Sequence, residues 1–170
     1  MIKIFIILSS ILIINPVPAD LKKMRELFLV INKNEEAVIQ LKSLALQSKE
    51  MESILKTAYY AAAEMATAKY LLSPAAKLKA FKSGKKILQL CLAKDSLNVE
   101  VRYIRFAIQT NAPSFLGYTQ NIQEDKLFLV DHLSTTKKTD PELYAAIYIY
   151  LIYSHRLSAT EQQQLSKHSL

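Results

Sequence analysis

Between Ser53 and Leu72 the run SILKTAYYAAAEMATAKYLL holds six alanines, from Ala58 to Ala68. Ile54, Ala58, Ala61, Ala62, Met65, Ala68 and Leu72 recur mainly three or four residues apart, the helical period. Alanine has the highest helix propensity and little bulk, so the spacing predicts a helix that another helix can approach closely. Ser73 then offers a cap and Pro74 a first helical residue. A second helix follows through AAKLKAFKSGKKILQLCLAK, with Ala80, Phe81, Gly84, Leu88 and Cys91 on one stripe and Leu92 on its flank. Lys79, Lys82 and Lys86 fall on the far side, Lys77 and Lys85 nearer the edge. Glycine inside a helix costs about 1 kcal/mol against alanine. Gly84 is therefore expected where the two helices touch. Asp95, Ser96 and Asn98 end the pair, and Asn98 can cap the next helix.

The same period recurs on both sides of this hairpin. Leu21, Met24, Phe28 and Ile31 predict a helix over 20–32. Asn34 caps a second, with Glu35 and Glu36 at its positive end and Val38, Leu41 and Ala45 as its stripe. Val101, Ile104 and Ile108 line a helix from Val99 to Thr110, broadened by Tyr103 and Phe106 and stopped at Asn111-Ala112-Pro113. The apolar loop Pro113 to Tyr118 is expected to tuck onto the core; its sharper reading is a ligand or partner contact. Asn121 and Glu124 resemble a capping box opening a helix through Leu133, followed by a polar linker from Thr135 to Thr139. Asp140 and Pro141 open the last long helix, ELYAAIYIYLIYSHRL, which is apolar nearly all round and so is buried or meets a partner. Ser158 and Glu161 make a final capping box. With two glycines and no tryptophan, the reading is an all-α chain of seven or eight helices. Successive antiparallel hairpins of this kind build a small solenoid or a compact bundle.

The N-terminus has another character. Lys3 precedes a mainly apolar run, Ile4 to Ile14, broken by Asn15-Pro16, and Val17-Pro18-Ala19 places small residues before a cleavage point. This is a signal-peptide pattern over 1–19, with cleavage after Ala19 and one helical domain over 20–170. The run is shorter than the roughly 20 apolar residues that span a bilayer, which leaves a retained anchor as the alternative. An exported protein, periplasmic or extracellular, is expected. The chain carries a formal charge of +7, and cleavage takes away one cation, Lys3. The lysines are spread over several helices, as on solvated faces. Export also counts against intracellular nucleic acid as a partner. Cys91 is the one cysteine; on an apolar stripe it reads as a small buried hydrophobe.

At Gly84, Leu88, Cys91 and the turn Asp95-Ser96-Leu97-Asn98 the chain resembles the second helix and exit turn of a tetratricopeptide repeat. Ser96 stands where that family has proline, and the break at Ser73-Pro74 departs from its 34-residue unit. The resemblance covers about a quarter of the chain and implies a TPR-like helical repeat with a binding role. The layout around Asn98 to Tyr118 also resembles small exported bacterial helical proteins, a likeness that brings no activity with it.

No catalytic pattern stands out. His132, His155 and His168 lack the HExxH spacing of a helical zinc site, and no glycine-rich phosphate loop or GxSxG is present. Ser154 and His155 are neighbours in sequence, which does not make a triad. Glu124, Asp125 and Asp131 read as helix-dipole partners and surface charge. No catalytic residue, metal or cofactor is expected. The leading reading is a non-enzymatic binding or scaffold module, with Tyr59, Tyr60, Tyr103 and Arg102 or Arg105 on a concave face for a protein or peptide, and with Tyr150 and Tyr153 as further contacts. The alternative is a peripheral envelope protein that meets anionic surfaces through Lys77, Lys79, Lys82, Lys85 and Lys86. An enzyme with a site assembled from scattered residues is the third reading; its sign would be a pocket with convergent polar groups.

Overall fold

The computed structural model describes residues 17–48 and 53–166. Among them the chain forms eight α-helices and no strand. These are α1 (Ala19–Val30), α2 (Glu35–Gln47), α3 (Ser53–Thr67), α4 (Pro74–Lys94), α5 (Val99–Asn111), α6 (Ile122–Thr139), α7 (Pro141–Tyr153) and α8 (Ala159–Ser166), with a 3₁₀ turn at Ser114–Leu116. The described residues are all-helical in class, in a form compatible with a bundle. The apolar leader read over 4–14 lies outside the described residues; Ala19 is exposed at the start of α1.

Capping sets the starts. The side chains of Asn34, Ser73, Asn98 and Asp140 accept from the backbone N–H three residues on, and Pro74 and Pro141 hold the first positions of α4 and α7. Each such cap is worth about 1 kcal/mol. Ser158 and Glu161 form the expected reciprocal box before α8. Asn121 and Glu124 do not form theirs. The Asn121 amide donates to the Glu124 carboxylate at 3.0 Å and its oxygen accepts from Gln109, so no side-chain cap reaches the backbone of α6.

Two ends differ from the sequence reading. The alanine-rich helix stops at Thr67 rather than at Leu72. Residues 68–70 form a tighter turn, each N–H bonding three residues back, while Lys69 and the Tyr70 hydroxyl donate to the last carbonyls of the α1 end, Asn32 and Ile31. Leu72 points outward. The expected linker at 135–139 is the last turn of α6, where Thr136 and Thr139 hydroxyls bond the carbonyls four residues back.

Polar pairs give the helix directions. Tyr59, midway along α3, meets Phe28 in the last turn of α1, and the residues just past the α3 end bond those just past the α1 end. Lys22 pairs with Glu142 near the starts of α1 and α7, while Tyr150 bonds Thr110 and Asn111 near the ends of α7 and α5. So α1, α3, α5 and α7 run parallel, and they neighbour one another. The helices α2, α4 and α6 return antiparallel between them: Lys42 pairs with Glu64, Gly84 abuts Ala61 and Met65, and Arg105 binds Asp125. One cluster of buried side chains draws on all eight helices, with Met24, Leu41, Leu88, Ile104, Leu129, Ile147 and Leu165 among its members. Full burial of a side chain of this kind contributes about 1.5–3 kcal/mol.

Through this core runs one ionic network. Arg25 of α1 is bidentate to Glu100 of α5, at 2.8 and 2.7 Å, and also reaches both oxygens of Asp140, at 3.2 and 2.6 Å. The Tyr59 hydroxyl donates to Glu100 at 2.6 Å. Burial opposes the charge on Arg25, yet its two carboxylates hold it above the ordinary arginine value. Burial first, then Glu100, pushes Tyr59 well up.

Candidate functional site

The parallel odd helices bring their C-terminal ends to one side of the molecule. There the ends of α1, α5 and α7 leave a cleft of about 400 Å³, within the range of small-ligand and side-chain pockets. Leu29 and Val30 form an apolar shelf, Tyr150 and Tyr153 an aromatic wall, and Lys33 supplies the one cation among the lining residues. Tyr150 is fixed in place. Its oxygen accepts from Asn111 Nδ2 at 2.6 Å, its proton reaches the Ala107 carbonyl at 3.1 Å, and Thr110 Oγ1 lies 2.6 Å away. Its ring meets Tyr103 and Phe106 edge-on at 5.7 and 5.8 Å. Burial raises its hydroxyl above the usual tyrosine range, so it stays a neutral hydrogen-bonding group near pH 7. Tyr153 is 73% exposed.

Helix C-termini carry partial negative charge. Here the carbonyls nearest the cleft are already bonded: Val30 by Lys33 and Asn34, Tyr150 by Ser154, and Leu151 by the Ser154 hydroxyl. The exposed ammonium of Lys33 is thus the prominent charge at the mouth. The combination suits an apolar or aromatic segment with a carboxylate nearby.

Of the residues read from sequence, this cleft unites Tyr150 and Tyr153 only. Tyr59 and Tyr103 face inward instead, and both clasp Phe28 of α1 edge-on, at 5.7 and 5.8 Å. The face they make is therefore occupied by the chain's own first helix. Burial raises both of their hydroxyls. Tyr60 is half-buried beneath the Lys42 ammonium, 5.6 Å from its ring centre. Arg102 and Arg105 are taken up between α5 and α6. Arg105 is bidentate to the fully buried Asp125, at 2.6 Å for each bond. Arg102 bonds Glu124 at 2.6 Å and Asp125 at 3.1 Å, with its guanidinium 4.4 Å from the Phe128 ring centre. Leu29, Val30 and Lys33 could not be read as lining residues from sequence, because they join Tyr150 only where the ends of α1 and α7 come together.

Other chemistry is sparse among the described residues. No group of three His, Cys, Asp or Glu side chains is placed to hold a metal ion. Cys91 is buried, and burial raises its thiol above the ordinary value against the pull of Lys94, a setting that disfavours the reactive thiolate. His132 turns Nδ1 to the Phe128 carbonyl at 2.8 Å and stacks on that ring. Comparison with protein-family models, curated proteins and solved structures finds no match to the chain.

Proposed function

We propose that this chain is an exported, non-enzymatic helical binding or scaffold protein, and that the cleft at the ends of α1, α5 and α7 holds an apolar segment of a protein partner. The observation that carries the reading is a tyrosine held by three hydrogen-bonding partners, Tyr150, with the exposed Tyr153 beside it, facing exposed leucine and valine and a lysine. Aromatic groups that are already ordered bind at low entropic cost. In this reading the hairpins form a TPR-like stack whose parallel inner helices close on α1. Export rests on the leader pattern at 1–19.

The test is a photo-crosslinker, p-benzoylphenylalanine, placed at Tyr153 in the native host, with the exposed Ile39 and Leu46 as reference positions. A discrete adduct from position 153, absent from 39 and 46 and lost with Lys33→Glu, supports the proposal. No adduct, or the same adducts from all three positions, refutes it.

A further inference from the structure

We infer that the end of the molecule formed by the 31–34, 68–73, 112–121 and 154–158 connections docks on an anionic lipid surface. Four links between odd and even helices lie side by side there, because the odd helices are parallel. They are tied laterally by Tyr70 to Ile31, by Tyr150 to Asn111, and by the edge-on contact of Phe81 with Tyr118. From this tied base large apolar side chains project into solvent. Leu72 is 98% and Phe115 84% exposed, and Leu29, Val30, Ile152 and Tyr153 are exposed at the ends of α1 and α7 on the same side. The Pro113 to Tyr118 loop shows the division clearly. Tyr118 is buried and Leu116 half-buried, while Phe115 turns away from the core. Exposed apolar clusters of this kind mark interaction sites.

Charge selects the occupant. Lys33, Lys69, Lys77, Lys79 and Arg156 are exposed at this end. Of the acids there, Glu124, Asp125 and Glu161 are each bound by an arginine or lysine, which leaves Glu35 and Glu36 in the first turn of α2. The opposite end mixes signs: Lys22 and Lys23 are paired with Glu142 and Glu26, and Asp20 and Asp95 stand among Lys94, Lys137 and Lys138. Apolar projections ringed by lysines are the combination that seats a protein in an anionic interface, where apolar burial and electrostatic attraction add. The surface extends beyond the cleft, since neither Leu72 nor Phe115 lines it, so reporters at these two positions test it separately from peptide capture.

The chain has no tryptophan, so single reporters are unambiguous. Leu72→Trp and Phe115→Trp report this end of the full chain; Leu46→Trp and Leu97→Trp report the other. With phosphatidylglycerol vesicles, emission from positions 72 and 115 shifts to the blue and is quenched by brominated lipid, while positions 46 and 97 stay unchanged. The effect fades as salt rises and is absent with phosphatidylcholine. Lys77→Glu with Lys79→Glu lowers the partition into anionic vesicles about tenfold or more. No shift at 72 and 115 overturns the inference, as does an equal shift at 97 or equal binding to neutral lipid.

Discussion

Gly84→Ala puts the central hairpin to a quantitative test, because two effects of opposite sign meet there. Alanine in place of glycine within α4 gains about 1 kcal/mol of helix propensity. A Cβ at position 84, however, would stand 2.5 Å from the Ala61 carbonyl oxygen and 2.9 Å from the Met65 nitrogen, and would overlap Met65 Cγ. The first two are backbone atoms that no rotamer change can move. To reach even 3.0 Å, α3 and α4 must part by about half an ångström. Such a gap forfeits about a quarter of each dispersion contact along the interface, and overpacking of this type costs about 1–3 kcal/mol. A clash with main chain belongs in the upper part of that range. Gly84→Ala is therefore expected to destabilise by about 1–2 kcal/mol net, lowering Tm by about 2–8 °C for a chain of this size. Urea and thermal unfolding followed by circular dichroism give both quantities. Ser83→Ala, one residue away and exposed, is the reference for propensity alone and should stabilise by a few tenths of a kcal/mol. Met65→Ala removes only the side-chain overlap, so Gly84→Ala should still destabilise in that background. A Gly84→Ala protein as stable as the parent would refute the close-contact reasoning.

Three further outcomes follow from the buried polar groups. Arg25→Met leaves Glu100 and Asp140 without their cation and should cost about 3–5 kcal/mol in urea unfolding, with part recovered on adding Glu100→Gln. Tyr59, Tyr103 and Tyr118 all have raised hydroxyls, Tyr118 up to about 12, chiefly through burial. The folded state therefore keeps protons that the unfolded state releases near pH 10. Their contribution is complete below that value and is lost as pH rises above it, so absorbance at 295 nm should show these three hydroxyls ionising together with unfolding. Glu161 lies below the ordinary glutamate value despite its burial, held there by Lys126 and the Ser158 box. Its stabilisation is present above the ordinary value and lost as pH falls through the lowered one, so Glu161→Gln should reduce stability at pH 7 while flattening the acid limb of a stability–pH curve.

Local rules carried most of the helix map. Ser73-Pro74, Asn98, Asp140-Pro141 and Ser158 with Glu161 start helices where capping chemistry places them, and Gly84 lies against Ala61. What failed depends on distant partners. Asn121 and Glu124 are drawn into side-chain bonds with Gln109 and Arg102, which are read from α5 and not from the box itself. The alanine-rich helix ends at Thr67 because Lys69 and Tyr70 are taken by the carbonyls of Ile31 and Asn32. Tyr59 and Tyr103 looked like surface aromatics; only the docking of Phe28 between them turns them inward. Arg25, Glu100 and Asp140 stand 75 and 115 positions apart, a separation at which periodicity carries no signal. The cleft was legible only through Tyr150 and Tyr153, because the other wall comes from α1.

Asp140 both caps α7 and holds Arg25. The beginning of α7 and the middle of α1 are thereby settled by the same carboxylate. During synthesis α1 emerges first and must wait for a residue 115 positions later before its guanidinium is fully neutralised. Closure across so long a loop slows folding. The polypeptide thus reaches its final lock only when α7 docks on α1.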